Sequence, residues 1–91
     1  MLESKIEKEV SKYAESLGWL AYKWSSPSQR GVPDHLYFRN GKVIAIEFKQ
    51  KGKKATKLQL HHLNKLTEAG IFCCVIDDVG LGEALFDWME K

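Results

Sequence analysis

The chain lacks long hydrophobic runs and has only two cysteines and two prolines. Its apolar stretches are a few residues long and its first ten residues are charged, which disfavours a membrane-spanning helix and a signal peptide. Cys73 and Cys74 are adjacent, so on a strand they point to opposite faces and cannot easily form a disulfide. Without a second cysteine pair, a zinc knuckle is also disfavoured. The sequence therefore predicts a cytosolic protein with reduced core cysteines and no membrane attachment.

The chain has 91 residues, of which 44% are hydrophobic, and this length suits one small core rather than two. We therefore expect a single domain over residues 1–91. Hydrophobic spacing and turn residues predict a helix at 3–17, a second helix from Thr56 towards a stop at Gly70, and a third at 81–89. The same signals predict strands at 19–24, 34–39, 42–49 and 71–76. This αβββαβα order predicts an α/β fold, in which a mixed central sheet carries helices on both faces.

The formal net charge of +2 conceals an uneven distribution of charge. Residues 21–57 carry nine lysines or arginines against two acids, whereas both flanking segments carry more acids than bases. A polyanionic ligand is the partner expected for such a segment, because Lys and Arg neutralise phosphates and release their counterions. The basic run at 49–57, taken alone, could equally be a solvated loop.

The dipeptide Asn40-Gly41 predicts a two-residue hairpin turn between the second and third strands. Both central positions of a type I′ turn require a positive φ, which Asn and Gly tolerate best. This turn places Asp34 directly opposite Glu47, with Lys49 on the same face of the sheet. Directly opposed residues have Cβ atoms about 5 Å apart, and two carboxylates there repel each other unless a cation lies between them.

These charges end a strand face that is otherwise apolar, where an unpaired charge is costly. A salt bridge from Lys49 to one of the acids is the plain alternative, but it leaves the other carboxylate unexplained. A Mg²⁺ or Mn²⁺ ion accounts for both, and the carbonyl of Phe48 is a plausible further ligand. Such an ion would serve a metal-dependent phosphodiesterase, in which Lys49 orients the nucleophile or stabilises the developing charge.

Other polar residues are candidates with equally good structural explanations. Glu7 lies on or beside the buried stripe of the first helix, although it could be an ordinary solvated residue. Gln59 is the N3 member of a capping box, a role that needs no function, yet it could face the acidic pair. His35 follows Asp34 and is expected to point to the opposite face, so we do not expect it to be catalytic.

The polar loop at 25–32 and the basic connection at 50–57 are expected to border the acidic pair. Their positive side chains, together with one from the first strand, could contact two phosphate backbones. These predicted DNA-binding residues are Lys23, Arg30, Lys51, Lys53, Lys54 and Lys57. His61 and His62 are adjacent on a helix and have the wrong spacing for a zinc pair, so they are interpreted as structural.

The pattern Gly31-Val32-Pro33-Asp34, followed by Glu47-Phe48-Lys49, resembles the PD-(D/E)XK nuclease superfamily. More narrowly, the Gly-x-Pro-Asp form and the following Gln59 resemble the stand-alone VRR-NUC (virus-type replication-repair nuclease) domains, over nearly the whole chain. The resemblance implies the αβββαβ restriction-endonuclease-like core, with Asp34 and Glu47 as metal ligands and Lys49 as the catalytic lysine. It also implies that Glu7 is the acid of the first helix, with Glu3 as a competitor, and that Gln59 belongs to the site.

The resemblance further implies a homodimer that cuts four-way (Holliday) DNA junctions with Mg²⁺ or Mn²⁺. We therefore expect a structure-selective DNA endonuclease. Two alternatives stay open: a flap, nicking or restriction-like nuclease of the same superfamily, and a non-catalytic nucleic-acid-binding module. The acidic pair disfavours the second alternative, because a surface that only binds phosphates gains nothing from carboxylates.

Overall fold

The computed structural model describes residues 1–91 and contains three helices and four strands. In chain order these are α1 (Glu3–Ser16), β1 (Leu20–Lys23), β2 (His35–Arg39), β3 (Lys42–Phe48), α2 (Lys57–Glu68), β4 (Phe72–Ile76) and α3 (Val79–Met89). The strands lie side by side in the order β1-β2-β3-β4, and only the β3–β4 pair is parallel. The predicted α/β class and mixed sheet are confirmed. None of the three helices is long and apolar enough to cross a membrane.

The hairpin between β2 and β3 has the predicted turn and register. Asn40 and Gly41 have φ values of 49° and 78°, as a type I′ turn requires. Arg39 pairs with Lys42, and the ladder continues in register to the pair His35 and Ile46. Extending this register by one residue would set Asp34 opposite Glu47, but the paired part of β2 ends at His35. The turn therefore fixes which strand ends meet at the candidate site.

The main core lies between one face of the sheet and the helices α1 and α3. Alternate residues of β2 and β3 supply its sheet side, namely Tyr37, Ile44, Ile46 and Phe48, and all four are fully buried. The helices supply Ile6, Val10, Ala14 and Phe86 to the same cluster. Helix α2 lies on the other face, where its first turn contacts the side chain of Glu47. Both faces of the central strands are thus covered, as their two apolar faces predict.

The two later helices begin with side-chain caps. In α2, Thr56 accepts a hydrogen bond from the Gln59 amide, and the Gln59 side chain accepts one from the Thr56 amide, which confirms the predicted capping box. Helix α3 begins at Val79, two residues before the predicted start. The carboxylate of Asp78 accepts a hydrogen bond from the Leu81 amide and so caps a first turn that was expected to be a loop.

Tyr22 of the first strand and Leu60 of the second helix, which the sequence favours as core residues, are instead exposed. The strand β1 is shorter than expected and lies at a sheet edge, so Tyr22 is 57% exposed, whereas Trp19 just before it is buried. Leu60 of α2 is 46% exposed although its spacing predicted a buried stripe, because only Leu63 of that helix is fully covered. Trp88 on α3 is also exposed.

Candidate active site

A tight turn brings Asp34 to the start of β2. Gly31 has a φ of +84°, and a Cβ atom there would lie 2.8 Å from the Leu58 side chain, so the loop needs glycine both for its backbone and for its contact with α2. Pro33 is fully buried. The carbonyl of Asp34 accepts a hydrogen bond from the Trp24 amide at 2.6 Å. These contacts fix the backbone of Asp34, which stands just outside the paired part of β2.

Glu7, Asp34 and His35 form a compact cluster of possible metal ligands. One ligand atom from each lies within 4.8 Å of the other two. The Glu7 carboxylate is 3.9 Å from the His35 ring and 3.4 Å from the Lys23 ammonium. Helix α1 therefore places Glu7 close to Asp34 at the start of β2.

The second group at this strand end consists of Glu47, Lys49 and Gln59. Glu47 is only 2% exposed, and one of its oxygens lies 3.8 Å from the Lys49 ammonium. The Gln59 side-chain amide donates a hydrogen bond of 3.2 Å to that same oxygen. The other oxygen of Glu47 is buried without a hydrogen-bond partner in the protein. A buried, half-satisfied carboxylate of this kind is costly in a protein without a bound cation.

Burial and nearby carboxylates raise the pKa values of three acids at this strand end, Glu47, Asp34 and Glu3. Burial, and next the nearby Asp34, raise the pKa of Glu47 to about 7, and Lys49 only partly opposes this. Burial also raises the pKa of Asp34, with a further contribution from Glu7. The pKa of Glu3 is raised by burial and then by Asp34. These carboxyl groups thus share one electrostatic environment, in which added positive charge is favourable.

The donor set fits a divalent cation. Carboxylate oxygens suit Mg²⁺ and Mn²⁺, and a neutral imidazole suits Mn²⁺ better than Mg²⁺. Burial lowers the pKa of His35, which keeps its ring neutral and able to coordinate. Glu7, Asp34 and His35 would hold the ion. Glu47, predicted to share it with Asp34, is not a member of this cluster, although one of its oxygens is buried without a partner. The Phe48 carbonyl stays a predicted ligand.

The structure corrects the sequence analysis at His35. Strand alternation predicted that His35 would point away from Asp34, yet their ligand atoms lie in one cluster. Asp34 precedes the first paired residue of β2, so strand alternation does not constrain its side chain. The sequence did contain a signal for this cluster, because an acid and a histidine are adjacent at the start of a strand. Strand alternation argued against using it.

The predicted DNA-binding residues divide into two groups. Lys23 contacts Glu7, and Lys51 contacts Asp78 at 3.3 Å, so both have carboxylate partners within the protein. The remaining four, Arg30, Lys53, Lys54 and Lys57, are exposed around the loops that border the site. His61 and His62 contact each other on α2 and are not part of the ligand cluster.

Comparisons with known proteins agree with this fold. No family model matches the chain. The chain is 39% identical over 84 residues to a protein of Acyrthosiphon pisum secondary endosymbiont phage 1 described as "Putative nuclease p44", covering 91% of this chain and 90% of that protein. A solved structure described as "VRR_NUC domain" matches with a TM-score of 0.86 and 24% identity, over 93% of this chain and 94% of its own. A second, "VRR_NUC domain protein", matches with a TM-score of 0.80 and 15% identity, over 96% and 86%.

The two solved structures establish the architecture as the VRR-NUC fold, and the clustered acids lie at the strand ends where the sequence predicted a nuclease site. The phage protein adds a sequence relationship over nearly the full length of both chains. The chain belongs to the same family as this phage protein described as a putative nuclease, and it has the VRR-NUC fold.

Proposed function

We propose that this protein is a Mg²⁺- or Mn²⁺-dependent endodeoxyribonuclease that hydrolyses phosphodiester bonds in branched DNA, with the four-way junction as its preferred substrate. The observation that carries the proposal is the meeting of Glu7, Asp34 and His35 beside the buried group of Glu47 and Lys49. Carboxylates packed next to lysines are poor phosphate binders by themselves, but with a divalent cation they become a hydrolytic centre.

We assign each residue of the site a separate role in hydrolysis. Glu7, Asp34 and His35 would hold the divalent cation, with Glu47 as a proposed further ligand, and the ion would polarise the phosphate and activate a water. Lys49 stands 3.8 Å from Glu47 and faces the same strand end, where its ammonium orients the attacking water and stabilises the negative charge that develops on the phosphate. Gln59 fixes the rotamer of Glu47 through its hydrogen bond. Exposed Arg30, Lys53, Lys54 and Lys57 contact flanking phosphates, joined by Lys23 and Lys51.

The symmetry of the substrate supports a homodimer. Each chain carries one such site, and paired cuts in a four-way junction require two. A two-fold dimer presents two identical sites in opposite orientations, which suits a symmetric junction. The kinship with a phage protein supports the cytoplasm of a bacterial or phage-infected cell as the place of action.

The test is a cleavage assay on matched labelled substrates: a four-way junction, a flap, a nicked duplex and a linear duplex of the same sequence. We expect paired cuts in the junction with Mg²⁺ or Mn²⁺ and none with EDTA. Asp34→Ala and Lys49→Ala are expected to remove cleavage, while both proteins keep the wild-type circular dichroism spectrum. Faster cleavage of the flap or linear duplex would reassign the substrate, and cleavage that survives Asp34→Ala would contradict the proposed site.

Gln59 provides a separate prediction, because it stabilises α2 and contacts Glu47. Gln59→Ala removes both contacts and is expected to cost about 1 kcal/mol of folding free energy and about 10-fold in cleavage rate. Gln59→Glu keeps an oxygen for the Thr56 amide but places a second carboxylate against Glu47. It should therefore lose cleavage and also lose stability at neutral pH, because the two carboxylates repel each other. Thermal melts and single-turnover rates measure the two effects, and unchanged rates in both variants would show that this contact has no part in activity.

A further inference from the structure

A groove of about 610 Å³ runs between α1 and β1, outside the basic loops that flank the acidic residues. Its small floor residues, Ser4, Ser11 and Ala21, leave room for a ligand backbone. The Ser11 hydroxyl is hydrogen-bonded to the buried Tyr37 hydroxyl at 2.7 Å, so this part of the floor is fixed to the core. The groove reaches Glu7 and His35, two members of the candidate metal cluster.

Lysines border this groove and continue beyond it. Lys8 and Lys12 of α1 and Lys23 of β1 all line it, and all three are exposed. An adjoining concavity of about 510 Å³ along α1 is lined by Lys5, Lys8 and Lys12, together with Ser4 and Glu9. The three lysines share one side of α1, because residues three and four apart are neighbours on a helix surface. They therefore form a track that keeps a net positive charge despite Glu9.

The acids of the groove do not cancel this track. Glu7 already has the Lys23 ammonium at 3.4 Å and belongs to the cation cluster. Glu15 lines the groove about two helical turns away from Glu7, beyond the lysines. Lys8 and Lys12 lie between these two acids on the wall of the groove. Neither lysine forms a salt bridge within the protein.

We infer that the α1–β1 groove is a phosphate-binding channel that carries one strand of the DNA substrate to the Glu7–Asp34–His35 cluster. Lys8 and Lys12 are one helical turn apart, about 6 Å along the axis, which is about two nucleotides of rise on one strand of a duplex. Two successive ammonium groups can thus contact nearby phosphates of the same strand. This inference rests on the proposed nuclease function, because it takes DNA as the polyanion.

The test measures the salt dependence of DNA binding, which reports how many phosphates are neutralised. Anisotropy of a fluorescein-labelled duplex is titrated with protein in EDTA, so that no cleavage occurs, over a series of salt concentrations. For the double variant Lys8→Ala and Lys12→Ala, the slope of log K against log salt should become shallower by about 2. Affinity in low salt should fall by about 10- to 100-fold. The variant with Lys8→Arg and Lys12→Arg should keep the wild-type slope.

A control variant that loses the same charge elsewhere distinguishes binding in the groove from a general effect of net charge. Lys42→Ala with Lys65→Ala removes two exposed lysines that do not line the groove, and is expected to leave the slope nearly unchanged. Alanine is the best helix former, so the α1 double variant should fold, and its circular dichroism spectrum checks this. An unchanged slope for the α1 variant, an equal change in the control, or no binding of DNA by the wild type would each overturn the inference. Failure of the nuclease proposal would be recognised separately, as normal binding without cleavage in Mg²⁺ or Mn²⁺.

Discussion

Replacing Glu47 with glutamine is expected to lower cleavage by at least about 10³-fold and, at the same time, to stabilise the metal-free protein. The loss of activity follows because an amide cannot supply the negative charge that a divalent cation requires. The gain in stability follows because Glu47 is buried, has an oxygen without a partner, and lies near other carboxylates. The hydrogen bond from Gln59 can be kept, since glutamine also presents a carbonyl oxygen to it.

The pH dependence of this stabilisation has a definite sign. The pKa of Glu47 is about 7 in the folded protein, against an ordinary value of 4.5. Below pH 4.5 both the folded and unfolded states hold the proton, so the carboxyl costs nothing. As the pH rises from 4.5 to 7, the unfolded state loses the proton first and folding is increasingly opposed, by about 1–3 kcal/mol above pH 7. Glu47→Gln removes this penalty, so its advantage should be full at pH 8 and absent below pH 4.5.

Thermal melts in EDTA measure this difference. At pH 8 the variant is expected to melt about 5–15 °C above the wild type. Glu68→Gln, an exposed acid on α2, is the control for the loss of one negative charge, and its melting temperature should stay close to that of the wild type. Mn²⁺ should raise the melting temperature of the wild type more than that of Glu47→Gln, because the variant keeps Glu7, Asp34 and His35 but lacks the carboxylate beside them. A variant that melts below the wild type at pH 8 would contradict the assignment of Glu47 as a strained, cation-dependent carboxylate.

Gly82→Ala is expected to destabilise the protein strongly, although alanine normally favours helices over glycine by about 1 kcal/mol. Gly82 is a buried residue of α3, and a Cβ atom there would lie within 2.9 Å of both methyl carbons of Val10 on α1. These helices cover the same face of the sheet, so the clash would push them apart. We expect a net loss of about 2 kcal/mol, or about 8–16 °C in melting temperature.

Two further variants check the cause of this effect. Val10→Ala removes the methyl groups in question, so the double variant Val10→Ala with Gly82→Ala should lose less than the sum of the two single changes. Gly80→Ala, in the first turn of the same helix, brings a Cβ atom near only the Asp78 carboxylate, at 3.1 Å, and should change stability much less. Additive effects of the two substitutions at positions 10 and 82 would show that the contact between α1 and α3 does not limit helix packing here.

The sequence predicted the fold well because its signals were local. The hydrophobic spacing of each helix, the capping box at Thr56 and the Asn40-Gly41 turn depend on neighbouring residues, and each appears in the structure. The errors arose where a neighbour across the fold decides burial. Tyr22 is exposed because β1 lies at the edge of the sheet. Leu60 is exposed because only part of the surface of α2 packs against the sheet.

In the candidate site, too, local signals predicted some features and long-range packing produced others. The Asn40-Gly41 turn sets the hairpin register, and the register brings the strand end with Asp34 to the strand end with Glu47 and Lys49. The packing of α1 against the sheet brings Glu7 to Asp34. His35 lies in the same cluster, although strand alternation predicted the opposite. The register follows from a turn of two residues, whereas the cluster depends on how α1 packs across the sheet, a long-range arrangement that no local pattern encodes.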